Sequence, residues 1–271
     1  MDQDQQQAGR IAQRFASLNE QSKTALVTFV TAGDPGTDYT VPAMHALVAA
    51  GADLLELGIP FSDPEAEGPA IQAANERALA QGMTLSKVLD MVAEFRQQDE
   101  ATPVILMGYL NSVLAMEQFA ERASTAGVDG LIMVNLPMEE AGELRQALAE
   151  QQMDLVSLVA PTSSDQRASD IVSNASGFIY YVSLKGTTGS GALAVDEVAE
   201  RTEYLRSITD VPVCVGFGIK DAATAAAVAQ HADGVVVGSA LVQLMAESSS
   251  VEQAVASLGQ ATAAIRKGID A

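Results

Sequence analysis

AGADLLELG, residues 50–58, joins a glycine that can close a helix to an aspartate and a short apolar run; two later stretches share the aspartate and the run, and the first of them the glycine as well. They are AGVDGLIMV at 126–134 and HADGVVVG at 231–238, so Asp53, Asp129 and Asp233 each stand at the head of an apolar segment of strand length. A Gly before the Asp suits the left-handed residue that ends many helices, and the pattern reads as a helix–turn–strand unit used more than once. Gly and Asp are common in turns of every kind, so the repeat takes its weight from its surroundings.

Those surroundings alternate short Val-, Ile- and Leu-rich runs with alanine-rich stretches of helical period, the pattern of parallel strands joined by crossover helices. Eight runs qualify: ALVTFVT near 25–31, DLLEL at 53–57, PVILM at 103–107, GLIMV at 130–134, DLVSLV at 154–159, FIYYV at 178–182, PVCVG at 212–216 and GVVVG at 234–238. Eight strand–helix units in 271 residues predict an α/β protein with the (β/α)8 TIM-barrel fold, one domain over 1–271. An additional amphipathic N-terminal helix carries Ile11, Phe15 and Leu18 on one face. A doubly wound open sheet is the alternative, but its G-x-G-x-x-G signature does not follow the first strand, which leads into TAGDPG. Ser250 and Gln253 have capping-box spacing ahead of a final helix.

Thirty-five acids against fifteen bases give a net charge of −20, which repels nucleic-acid phosphates and anionic membranes. No uncharged run is long enough to cross a bilayer, and the polar, acidic start lacks the features of a signal peptide, so a cytoplasmic protein is expected. Cys214, the sole cysteine, lies in an apolar run; it excludes an internal disulfide and reads as a packed core thiol. The two histidines, His45 and His231, join no metal-ligand cluster or Ser/His/Asp set, and no metal is expected.

In a barrel, the chemistry lies just after each strand. KGTTGSG after the sixth strand, GFG at 216–218 after the seventh and Gly238-Ser239 opening a helix after the eighth offer backbone N–H groups without bulk, as a phosphate requires. Glu56 sits inside DLLEL, on a strand covered on both sides, so its carboxylate either points into the barrel mouth or has a buried partner. Burial raises a carboxyl pKa and suits it to proton transfer near neutrality; an arginine-paired structural acid is the other reading. Asp63, Glu65 and Glu67 follow in PFSDPEAEGPAIQ, 60–72, where loop acids either share the mouth or are solvated.

The chain resembles the tryptophan synthase α subunit family, most specifically in ELGIPFSDPEAEGPAIQ, with support from FVTAGDPG, YYVSLKGTTG, VGFGI and VGSALV in the same order. The resemblance implies a (β/α)8 lyase that cleaves indole-3-glycerol phosphate to indole and glyceraldehyde 3-phosphate, binds no cofactor, and partners a pyridoxal-phosphate β subunit in an α2β2 heterotetramer. It implies Glu56 as general acid–base and Glu67, where many members have Asp, as the carboxylate on the ring N–H. Asp63 corresponds to a loop residue that helps order the site and communicate with the partner. Phe29, Met107 and Ile132 match the indole pocket, Tyr109 and Tyr180 positions near the ligand, Thr188 the closing loop, and Gly189, Gly218, Gly238 and Ser239 the phosphate cradle. Departures from the family pattern are Glu65, Glu67, Asn135 and the SLKGTTG loop. Two other readings stand beside this one: a weakly catalytic subunit acting mainly as an allosteric activator of the β chain, and a sugar-phosphate isomerase barrel, which leaves ELGIPFSDP unexplained.

Overall fold

The computed structural model describes residues 9–182, 195–216 and 218–271. The strands are β1 (Ala25–Thr31), β2 (Leu54–Gly58), β3 (Val104–Gly108), β4 (Gly130–Met133), β5 (Asp154–Val159), β6 (Ile179–Val182), β7 (Val213–Gly216) and β8 (Gly234–Val237). They form a closed parallel barrel in sequence order, with β8 pairing back onto β1. All eight expected runs are strands. Pro103 and Pro212 fall just outside, as residues with no N–H to give a ladder should.

Helices α1 (Arg10–Glu20), α2 (Thr40–Ala49), α3 (Pro69–Ala80), α4 (Leu85–Arg96), α5 (Leu110–Leu114) and α6 (Phe119–Ala126) accompany the first half of the barrel. The second half carries α7 (Gly142–Glu150), α8 (Asp165–Val172), α9 (Val195–Ile208), α10 (Ala222–Ala229), α11 (Ser239–Ala246) and α12 (Val251–Ile269). No described helix is long and apolar enough to cross a membrane.

Side chains alternate across the barrel wall. Leu26, Val30, Leu55, Leu57, Leu106 and Leu131 pack outward in the layer shared with the helices, while Val27, Leu54, Ile105, Ile132, Cys214 and Val236 pack in the lumen. Ile11, Phe15 and Leu18 of α1 join that inner cluster. The N-terminal helix therefore plugs the end of the barrel where the strands begin, and the other end stays open.

The Asp repeat has a structural meaning. Asp53 donates its backbone N–H to Leu26 O and accepts the Leu26 N–H on its carboxylate, both at 2.7 Å. Asp129 does the same with Val104, at 2.9 and 2.7 Å, and Asp233 with Val213, at 2.9 Å each way. Each aspartate so clamps the head of its strand to the preceding one in the barrel. Arginines cover the charge: Arg14 and Arg266 on Asp53, Arg10 and Arg96 on Asp129, Arg206 on Asp233. Ser250 caps α12 by accepting the Gln253 N–H at 3.3 Å, but the reciprocal arm goes elsewhere: Gln253 Oε1 accepts from the backbone and hydroxyl of Ser249.

Replacing Asp53 by Ala strands the buried Leu26 N–H and removes a shared partner from two guanidinium groups. The expected loss is roughly 3 kcal/mol. It should appear as a lower urea midpoint at unchanged slope, with Asp53→Asn, which keeps an acceptor for Leu26, clearly milder.

Candidate active site

Glu56 shares the parity of Leu54 on β2, so it faces the lumen, in register with Phe29 on β1 and Ile105 on β3. It is 1% exposed, and neither carboxylate oxygen has a hydrogen-bond partner among the described residues. The reading as a structural acid paired with arginine is not met. Burial alone pushes its pKa up to about 8, so the resting group is a carboxylic acid at neutral pH. Its charge in turn helps raise the nearby Tyr180 phenol and Cys214 thiol, both lifted chiefly by burial.

Above Glu56 opens a cavity of about 230 Å³. Phe29, Met107, Tyr180 and Ile71 supply apolar and aromatic walls, while Gly218, Gly238 and Ser239 line it where the ends of β7 and β8 meet α11. Glycine makes the room. A Cβ on Gly58 would stand 2.6 Å from the Phe29 ring, and one on Gly216 2.3 Å from the Tyr180 hydroxyl. Gly218 has φ +72°, which glycine adopts without strain. Gly238 precedes Ser239, the first residue of α11, whose initial N–H groups are those a helix leaves unpaired. No described residue lining the cavity is basic, so an anion here meets helix N–H groups and their dipole.

The loop acids divide. Glu67 is half-buried and accepts a hydrogen bond from the Tyr109 hydroxyl; burial raises its pKa, against the lowering effect of that bond. Its side chain does not line the cavity, although its neighbour Gly68 does. Asp63 and Glu65 are exposed, the former bonded by the Ser62 hydroxyl. Ile132 is fully buried in the lumen and Tyr109 is 5% exposed; neither lines the cavity. Asn135 accepts the Leu110 N–H at 2.9 Å. Thr188, Gly189 and the rest of SLKGTTG lie outside the described residues.

Sequence reasoning missed the first turn of α3, where Pro69, Ala70 and Ile71 line the mouth, and Ile219 and Val236. A proline directly after Gly68 was the available signal, since Pro favours the first helical position and thereby brings that turn back over the strand ends. Cys214 is a free, fully buried thiol, as expected, and His45 packs against Phe95 with the two rings tilted by 34°. The described residues contain no group of three His, Cys, Asp or Glu able to hold a metal.

A family model described as tryptophan synthase alpha chain matches residues 15–269. The tryptophan synthase alpha chain of Dechloromonas aromatica (strain RCB) is 54% identical over 96% of this chain and 98% of its own. That of Nitrosococcus oceani is 57% identical over 86% and 87%. The crystal structure of tryptophan synthase subunit alpha from Legionella pneumophila str. Paris superposes with a TM-score of 0.90 at 42% identity, covering 97% of this chain and 98% of that one.

The unpartnered Glu56 carboxyl has a consequence for stability. Unfolded, it ionises at an ordinary pKa of 4.5; folded, it keeps its proton to about 8. Across that window the native state holds the extra proton, so stability falls as pH rises, and above the folded pKa the loss is complete. Glu56→Gln has no such titration. The difference in melting temperature, variant minus parent, should therefore grow in the variant's favour from about pH 5 to about pH 9. A difference independent of pH would mean that the carboxyl is not desolvated.

Proposed function

Since the chain belongs to the tryptophan synthase alpha chain family, the carbon–carbon lyases that cleave indole-3-glycerol phosphate, we propose that Glu56, on the floor of the cavity above β2, and Glu67, on the loop beside its mouth, perform that cleavage. The reaction must put a proton on C3 of the indole ring, break the bond from C3 to the side chain, and take a proton from the side-chain hydroxyl as the aldehyde forms. Glu56, protonated near neutrality and without a hydrogen bond from the described residues, gives its proton to C3. The ring then carries positive charge and Glu56 negative charge, an attractive pair in a site with little water. The carboxylate next removes the hydroxyl proton, the C3 bond electrons return to the ring, and Glu56 ends as it began.

Glu67 accepts the ring N–H and stabilises the positive charge that C3 protonation creates. Phe29, Met107 and Tyr180 hold the indole, and Gly218, Gly238 and Ser239 hold the phosphate at the start of α11. Thr188 and Gly189, outside the described residues, are assigned to the loop that closes over the ligand. The partner is a tryptophan synthase β subunit in an α2β2 heterotetramer, with the exposed Asp63 and Glu65 turned toward it, and the setting is the cytoplasm.

The observation that carries the reading is a fully buried carboxyl with no hydrogen-bond partner among the described residues, at the floor of a largely apolar cavity whose far rim is Gly218, Gly238 and Ser239. Glu56→Gln keeps the shape and removes the proton. In the purified chain, alone and with a β subunit, its steady-state cleavage should drop by roughly a hundredfold or more while a glycerol phosphate analogue still binds. Near-parental turnover in the variant defeats the assignment.

A further inference from the structure

Tyr109 directly follows β3 and stands just before α5, and the residue after it is held by Asn135, just beyond β4, which accepts the Leu110 N–H at 2.9 Å. It is 5% exposed and takes no part in the cavity wall. The phenol points instead at the loop after β2. Its oxygen accepts the Ala66 N–H at 3.0 Å and donates its one proton to Glu67 Oε2. Phe61, at the start of the same loop, stacks on the Tyr109 ring with centroids 4.7 Å apart and planes 17° from parallel. Phe61 is fixed in turn by Asn75, a buried polar residue of α3 that accepts the Phe61 N–H at 3.0 Å and donates to Ile71 O at 3.0 Å.

The acid-bearing loop is thus pinned at both ends against one aromatic side chain mounted on the barrel wall. We propose that Tyr109 is a positioning residue and not a substrate contact: its hydroxyl sets where the Glu67 carboxylate stands when the ring N–H of the substrate arrives. The chemistry of a phenol suits the task. With its proton committed to Glu67 and a lone pair to Ala66, it fixes one carboxylate oxygen and leaves the other free to accept. A glutamate has one more rotatable bond than an aspartate, so without the phenol its carboxylate samples more positions. The proposal rests on the reading of Glu67 as the ring N–H acceptor.

The test is a double-mutant cycle on indole-3-glycerol phosphate cleavage by the full chain with its β subunit. Tyr109→Phe keeps the stacked ring and removes only the hydroxyl. It should lower kcat by roughly 10- to 100-fold with KM little changed, because a carboxylate misplaced by about an ångström costs that much. In a Glu67→Gln background, the same substitution should add less than about threefold, since the residue it positions is already disabled. Losses of equal size in both backgrounds, a loss confined to KM, or no loss at all would each overturn the proposal. Phe61→Leu, which removes the stacking partner and leaves the hydroxyl, carries the test if Tyr109→Phe does not fold. It should show a smaller kcat loss that disappears in the Glu67→Gln background, and a loss that persists there counts against the proposal. Glu67→Gln alone with parental kcat defeats the underlying reading of Glu67, whereas an inactive Glu67→Gln with independent Tyr109→Phe losses defeats only the positioning role.

Discussion

Closing eight parallel strands into a ring forces every second side chain of every strand into one narrow lumen. Nothing on those positions can turn away to solvent through the wall, because the helices seal it. At the strand beginnings the lumen is filled by Ile11, Phe15 and Leu18 of α1. At the strand ends it is left open as the cavity over Glu56. An acid with the parity of Leu54 therefore has one destination, and its carboxyl must lose most of its water to reach it. Asp53, three residues earlier on the same chain, shows the contrast. Its carboxylate is saturated by the Leu26 N–H, Arg14 and Arg266, whereas that of Glu56 has no partner among the described residues. Among the described residues the fold supplies two arginines at one end of the strand and none at the other, which separates a structural acid from the one proposed for proton transfer.

Space at the open end comes from residues that are absent as much as from those present. Phe29 can lie across β2 because Gly58 has no Cβ, and Tyr180 can lie across β7 because Gly216 has none. Gly238 extends the same device to the proposed anion cradle, where an added Cβ would stand 3.3 Å from Phe29. None of the described residues that line it is basic. A lysine or arginine among those residues would face Glu56 across the cavity and depress the pKa that burial raises, whereas the proposed N–H donors leave it in place.

Much of this was legible in the sequence because it depends on local period. Strand parity is visible in LLEL, the strand heads are visible in the recurring Asp, and the cradle is visible as glycine after the last strands. What escaped depends on contacts across long chain separations. Nothing near Asp53 announces Arg266, and nothing near Asp129 announces Arg10 or Arg96. The pair of buried Asp34 with partly exposed Arg77, which ties the loop after β1 to α3, joins residues with no common motif. The capping spacing at Ser250 was read correctly as a helix start, yet Gln253 found an equally close donor in Ser249, a choice that only side-chain geometry decides. Tyr109 matched a position near the ligand, but its side chain is spent on the loop, since the direction of a phenol at a strand end is set by the residues that stack on it.

The two proposed catalytic carboxylates are held in ways that match what each must do. A group that both gives and receives a proton at one carbon and one oxygen has to keep its place through the reaction, and a barrel strand locked by ladders on both sides provides that for Glu56. A group that must meet a ring entering from solvent cannot sit behind such a wall. Glu67 rides a loop between β2 and α3, tethered through side chains and hydrogen bonds that can be exchanged one at a time. Burial raises both pKa values, but only that of Glu67 is pulled back by hydrogen bonds, which favours its charged form. Two chemically identical side chains eleven residues apart in sequence are thereby given different settings, one desolvated on the strand with no partner among the described residues and one hydrogen-bonded on the loop.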